Sequence, residues 1–243
     1  MIEFLNIAKS FSGNPILKGI SFKVNRGEIL FILGTSGTGK SVLLKSIVGL
    51  LTPESGEIWI DGENVVGKSE EDLFSVRKKC GMVFQNPALF DSLTIFENIA
   101  FGLRQHYQWN EHEIRARVEE CLAVVNLGVD VAAKYPPQLS YGMQKRASLA
   151  RTVAIKPQIL LFDEPTTGLD PITTNAINQL IQRLSRELQT TSVVVSHDMG
   201  CALGIADRII VLDQGWIVEQ GSPEQIKKSF LPLVQDFLLE VND

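Results

Sequence analysis

The feature that most constrains this chain is a run of five apolar residues, Ile29 to Leu33, that ends directly on Gly34-Thr35-Ser36-Gly37-Thr38-Gly39-Lys40-Ser41. An uninterrupted apolar run is the mark of a strand buried on both faces. From Lys40 onward Val42, Leu43, Leu44, Ile47 and Val48 fall at helical spacing. The string between them matches G-x-x-x-x-G-K-[ST] in the context that gives the pattern meaning, after a strand and opening a helix. Its glycines let the backbone curl until several N–H groups face one phosphate cluster, and the helix N-terminus adds its positive dipole. Residues Gly34 through Ser41 are therefore the expected nucleotide-binding loop. Lys40 can reach the β- and γ-phosphates, and the Ser41 hydroxyl can ligate Mg²⁺.

A second element, Ile159-Leu160-Leu161-Phe162-Asp163-Glu164, is four apolar residues followed by two carboxylates. A buried strand that ends in acids places them at the carboxyl edge of a sheet, where a phosphate loop also sits. Asp163 is expected in the Mg²⁺ shell, and Glu164 is expected to orient and partly deprotonate the attacking water.

The rest of the chain reads as strands alternating with helices. Ile20, Phe22 and Val24 alternate with polar positions, and Gly56 to Ile60 forms a strand before an Asp61-Gly62 turn. Residues 87–156 are poorer in alternation and read as a helical insert, with an amphipathic helix from Glu111 to Asn126. Val193 to Val195 is another buried strand, preceded by a helix with Ile177, Leu180, Ile181, Leu184 and Leu188 on one face. Asp213-Gln214-Gly215 turns a hairpin of Ile209 to Leu212 against Trp216 to Glu219. The pattern predicts an α/β core with a mainly parallel sheet.

Between these landmarks lies a set of ordered motifs. Leu139-Ser140-Tyr141-Gly142-Met143-Gln144, followed by Lys145-Arg146-Ala147 and Ala150-Arg151, resembles the signature loop of ABC ATPases. Gln85 stands at the Q-loop position, Thr167-Gly168-Leu169-Asp170 resembles the D-loop, and Ser196-His197-Asp198 resembles the switch-histidine loop. Phe11 fits the aromatic that stacks on adenine. The resemblance covers essentially the whole chain. It implies a P-loop NTPase core of RecA-like type with an antiparallel β subdomain and a helical insert. Residues 1–86 and 157–243 would form the nucleotide-binding core with its β subdomain, and residues 87–156 the helical subdomain carrying the signature loop. It further implies ATP and Mg²⁺ as cofactors, with Ser41, Gln85 and Asp163 at the metal and Glu164, His197 and Gln85 in catalysis. Ser140 and Gly142 would meet the nucleotide of a second copy, so that two chains sandwich two ATP molecules, and Asp170 would count among the ATP-binding residues.

One departure concerns the signature, where Tyr141 and Met143 occupy the third and fifth places. A tyrosine held at positive φ there would be strained.

Composition bounds the alternatives. The formal net charge of −5 argues against a nucleic-acid partner, which calls for a basic face. Cys80, Cys121 and Cys201 are scattered and odd in number, as expected of reduced, mostly buried thiols in a cytosolic protein. No apolar run is long enough to span a bilayer, and Met1 to Phe11 has neither a basic n-region nor a small-residue cleavage site. The resemblance implies a location at the cytoplasmic face of the inner membrane, held peripherally by an integral permease. His106 and His112 have no partner at metal-ligand spacing and are expected to be solvated. The late segment from Phe230 to Val241 has helical spacing and suits either its own domain or a second protomer.

The resemblance extends to cargo. Phe84 to Thr94, Glu97 to Phe101, Met143, Gly168 to Thr173 and Val234 to Leu238 are similar to the ATPases of MCE-type phospholipid transporters, which maintain outer-membrane lipid asymmetry. That likeness implies an MCE-domain lipid-binding protein among the partners. An importer of amino acids or other small solutes is the alternative. A soluble ABC ATPase would carry two cassettes or a long coiled coil. A GTPase would carry an Asn-Lys-x-Asp string, which does not occur.

Overall fold

The computed structural model describes residues 1–242. The elements run β1 (Ile2–Phe11), β2 (Asn14–Val24), β3 (Ile29–Leu33), α1 (Lys40–Ile47), β4 (Ser55–Ile60), β5 (Glu63–Asn64), α2 (Glu70–Lys79) and β6 (Cys80–Val83). Three helices follow: α3 (Ile95–His106), α4 (Glu111–Val124) and α5 (Tyr141–Ala154). The chain then returns through β7 (Ile159–Asp163), α6 (Pro171–Glu187), β8 (Thr191–Ser196), α7 (Met199–Ile205), β9 (Arg208–Asp213) and β10 (Trp216–Gly221) to α8 (Pro223–Ile226) and α9 (Pro232–Asn242).

Two sheets result. The smaller is antiparallel in the order β2-β1-β4-β5, and the larger has the order β10-β9-β3-β8-β7-β6. In the larger sheet every pairing is parallel except β9 with β10. That hairpin closes through Gln214 (φ 46°) and Gly215 (φ 83°), the left-handed pair that a two-residue turn between twisted strands requires.

Alternation along the buried strands feeds two separate cores. On β3, Ile29, Phe31 and Leu33 join the apolar cluster that holds α3 to α7, while Leu30 and Ile32 join the cluster that holds the smaller sheet and α1. On β7, Leu160 and Phe162 face the first cluster, and Ile159 and Leu161 the second. A strand with side chains on both faces of a sheet supports both layers at once. The larger sheet is thus fixed on both sides, and its carboxyl edge is a rigid rim.

The helical stretch is ordered by its own polar groups. Thr94 and Glu97 form a reciprocal capping box at the start of α3. Asn98, wholly buried, donates to the carbonyls of Phe90, Leu93 and Thr94 and accepts from the Phe90 amide, so its amide is satisfied and the loop before α3 is fixed.

Three local expectations need correction or refinement. The amphipathic helix stops at Val124, because the chain turns at Asn126 (φ 56°). Leu188 is 40% exposed rather than buried with its helical neighbours, since it caps α6 where Gln189 (φ 50°) turns the chain toward β8. His106 is only partly solvated. Its ring packs against Phe74 at 5.7 Å, and its Nδ1 is buried without a hydrogen-bond partner among the described residues. Burial accordingly lowers its pKa. His112, by contrast, is exposed.

Candidate nucleotide site

The loops after β3, β6, β7 and β8 meet on the rim of the larger sheet around a cleft of about 690 Å³. That volume is within the range of sites that hold a cofactor-sized molecule. Phe11, Ile16 and Val42 form an apolar end, and Phe11 is 43% exposed there. Thr35, Ser36, Gly37, Gly39, Lys40 and Ser41 line the polar end. Gly34 and Thr38 belong to the same loop but shape it from behind. The Thr38 hydroxyl donates to the Thr35 carbonyl at 2.9 Å. Gly39 takes φ 98° directly ahead of α1, and a Cβ there would stand 2.5 Å from Leu17 of β2, so the position demands glycine on two counts.

Lys40 is 6% exposed and donates to the carbonyls of Gly34 at 2.7 Å and Thr35 at 3.0 Å. Burial lowers its pKa, and the nearby carboxylates of Glu164 and Asp163 oppose that shift. Ser41 donates to Asp163 Oδ1 at 2.7 Å, which joins the first turn of α1 to the end of β7. A hydroxyl and a buried carboxylate side by side, with Gln85 on the same cleft, form an all-oxygen donor set that suits Mg²⁺ completed by phosphate and water.

Glu164 is the focus of the rim. Its Oε2 accepts from the Thr167 hydroxyl at 3.0 Å and lies 2.8 Å from His197 Nδ1, while Oε1 is 3.7 Å from Lys40 Nζ. The backbone holds Glu164 at φ 49°, a left-handed conformation uncommon for a non-glycine residue, and its amide donates to the Val195 carbonyl at 3.0 Å. The carboxylate is thus aimed from both sides. His197 is more exposed, and its neighbour Asp198 caps α7 through the Cys201 amide.

Ser140, Gly142 and Asp170 are not brought to this cleft. Ser140 is the exposed N-cap of α5 and accepts from the Met143 amide at 3.4 Å. Tyr141 is the first residue of that helix and is free of the positive φ that would strain it. Asp170 caps α6 by accepting from the Thr173 amide at 3.0 Å and hydroxyl at 2.6 Å. Those two bonds hold its carboxyl below the usual range. Gly142 stands beside Thr173, since a Cβ on it would be 3.0 Å from the Thr173 methyl. The two helix starts therefore form one exposed neighbourhood apart from the cleft.

Sequence reasoning missed several residues of the cleft. Thr167 lay inside a quoted motif but had no role. Ile16 and Val42 carry no polar signal. Phe237 and Glu240 reach the cleft from α9, which packs on α7 and buries Val234 and Phe237 in its own chain. Helical spacing alone left that packing undecided.

Comparison with known proteins agrees with this geometry. The family described as ABC transporter matches residues 17–167, more than half of the chain. The probable ribonucleotide transport ATP-binding protein mkl of Mycobacterium tuberculosis is 41% identical over 237 residues, covering 98% of this chain. This chain spans only 66% of the length of that relative. The intermembrane phospholipid transport system ATP-binding protein MlaF of Haemophilus influenzae is 41% identical over 243 residues, 100% of this chain and 92% of its own. The methionine import ATP-binding protein MetN of Carboxydothermus hydrogenoformans is 41% identical over 224 residues, 91% of this chain and 66% of its own. Among solved structures, the dimeric cassette MJ0796 in a post-hydrolysis state bound to ADP and Pi superposes with a TM-score of 0.86 at 35% identity, covering 92% of this chain and 99% of that one. Motif order, rim geometry and these matches converge: the chain belongs to the ABC transporter family.

Proposed function

We propose that this chain is the motor subunit of a membrane transporter, working as a pair of identical cassettes around two ATP molecules. The observation that carries the reading is the division of the site. The phosphate loop, Ser41 and Glu164 share one cleft, with the buried Asp163 held against Ser41, whereas the exposed Ser140 and Asp170 and the half-buried Gly142 lie outside it. A second copy of the chain is what would bring such residues to the cleft. In this reading residues 1–86 and 157–243 hold nucleotide, and residues 87–156 form the subdomain that carries the signature loop.

Chemistry follows from the positions of the side chains. Phe11 stacks on the adenine, and residues 34–41 hold the phosphates. Ser41 and Asp163, with Gln85, would hold Mg²⁺, which when bound neutralises charge on the β- and γ-phosphates. Glu164 accepts a proton from water as the water oxygen bonds to the γ-phosphorus and the bond to the β,γ-bridging oxygen breaks, giving ADP and phosphate. Thr167 and His197 keep the carboxylate in place, and His197 contacts the γ-phosphate on closure. The work is positioning and charge stabilisation.

The cargo we infer is phospholipid, linked to outer-membrane lipid asymmetry. The support is the Haemophilus influenzae phospholipid-transport relative, which is matched over 92% of its length. The methionine-import relative favours a small-solute importer instead, at equal identity but over 66% of its length. No helix among the described residues is long and apolar enough to cross a membrane. Attachment to the cytoplasmic face would therefore run through a permease, met by residues 85–103. The test is gentle purification of the tagged chain from its native membranes with mass spectrometry of what stays bound. A permease with an MCE-domain protein and phospholipid is the expected result. A permease with a solute-binding protein would replace the cargo, and the absence of any membrane partner would overturn the motor role.

A further inference from the structure

Lys145 is the most deeply placed cation near the site that the chemistry above does not use. It sits one turn into α5 at 3% exposure, beside a small cavity that the apolar residues Val83, Leu149, Phe162, Pro165 and Ile177 also line. A buried ammonium among such groups is unfavourable unless its hydrogen bonds and charge are matched. Here Nζ donates to the backbone carbonyl of Gln85. The Tyr141 hydroxyl donates to the same carbonyl at 3.3 Å, and the Lys145 charge lies 5.4 Å from the Tyr141 ring centre. Farther along α5, Arg151 donates to the carbonyls of Ala88 at 2.7 Å and Pro87 at 3.4 Å. One helix thus grips three carbonyls in a four-residue loop.

In the paired-cassette reading the two ends of that grip face different nucleotides. The Gln85 side chain lines the chain's own cleft. Ser140 and Gly142, at the start of the same helix, lie outside it. We propose that Lys145 is a positioning residue that locks the Gln85 backbone to the start of α5, so that occupancy of the chain's own cleft sets where Ser140 and Gly142 meet the nucleotide of a second copy. The inference rests on the paired-cassette reading above. It also gives the tyrosine at the third signature place a task, since Tyr141 supplies the second donor on the locked carbonyl. Burial lowers the pKa of Lys145, and the negative charge of Glu164 opposes that shift in part.

The test uses the full chain with Lys145→Met, which keeps length and removes the charge, and Lys145→Arg as the conservative variant. Steady-state ATP turnover, affinity for a fluorescent ATP analogue and Tm are measured on each. Lys145→Met is expected to lower turnover by about tenfold or more, the scale on which misplaced reacting groups lose rate. Affinity for the analogue should stay within about twofold, and Tm should hold or rise because an apolar side chain replaces a buried charge. Lys145→Arg should recover most of the turnover. A merely structural lysine would lower Tm and affinity together, and that result, or turnover within about twofold of the parent, overturns the proposal. ATP-driven assembly is read in parallel in a Glu164→Gln background, where Lys145→Met should weaken pairing. Pairing equal to that of the Glu164→Gln parent also overturns the proposal. Absence of ATP turnover in the unmodified chain would sink the motor reading instead, and the assembly measurement then still decides on Lys145.

Discussion

Replacing Glu164 by glutamine keeps shape and removes only charge and basicity, so it separates the proposed base from its role in the fold. The amide oxygen can still accept from Thr167, which lies 3.0 Å away. What is lost in the unliganded protein is the attraction to Lys40 at 3.7 Å, worth about 4 kcal/mol in an effective dielectric near 20 before desolvation is counted. Both groups are largely buried, so relief of desolvation offsets most of that. Lys40 also keeps its bonds to the Gly34 and Thr35 carbonyls. The net cost is about 1 kcal/mol, a fall in Tm of about 2–4 °C for a chain of this size. Turnover answers to a different term. General-base assistance contributes about 10²–10⁴-fold, or about 3–5 kcal/mol of barrier. Phosphate release at saturating Mg-ATP should therefore fall at least a hundredfold while a fluorescent ATP analogue binds as before. The ATP-loaded variant should run as a dimer in size-exclusion chromatography. Turnover within tenfold of the parent would place the base elsewhere, and a Tm loss above about 8 °C would show that Glu164 serves the fold rather than the reaction.

Lys40→Ala should raise the Kd for ATP about ten- to a hundredfold, the worth of a charge-assisted hydrogen bond to phosphate, as read by titration calorimetry; unchanged affinity would count against the phosphate loop. Phe11→Ala should raise the Kd for ATP about tenfold through lost stacking and leave that for inorganic triphosphate unchanged, and equal effects on both would remove the stacking role. Burial pushes the thiols of Cys80 and Cys201 up to about 12 and that of Cys121 up to about 11. At pH 8 the folded chain should resist N-ethylmaleimide and react only after urea is added. Because the unfolded thiols ionise near pH 9 while the folded ones stay protonated, the unfolded state then binds fewer protons, and stability falls as pH rises from about 9 toward 11. The urea midpoint should be lower at pH 10 than at pH 8, and replacing the three cysteines by alanine should flatten that dependence.

Much of this molecule is legible because its decisive elements are monotonous. The runs Ile29 to Leu33 and Ile159 to Phe162 have no amphipathic face to confuse the reading, and each ends on the residues that carry chemistry. Residues whose role depends on what comes from elsewhere in the chain were harder. Nothing in the periodicity of α6 separates Leu188 from Leu184, because the turn at Gln189 is a backbone event. His106 looks like any polar residue at a helix end until Phe74, from α2, covers it. Phe237 and Glu240 reach the cleft only because α9 folds back on α7, a choice made by tertiary packing. The grip of Lys145 on a carbonyl sixty residues away leaves no trace in spacing at all.

The left-handed backbone of Glu164 has a consequence for anyone who would redesign this chain. At φ 49° a glycine would be more comfortable than a glutamate, so a procedure that weighed backbone strain alone would replace it. That relief of backbone strain would cost the contacts of the carboxylate with Lys40, Thr167 and His197 and, in the proposed mechanism, the base itself. In the proposed mechanism the unusual backbone is what aims the carboxylate, so Glu164 is the residue a protein engineer should freeze before changing any other.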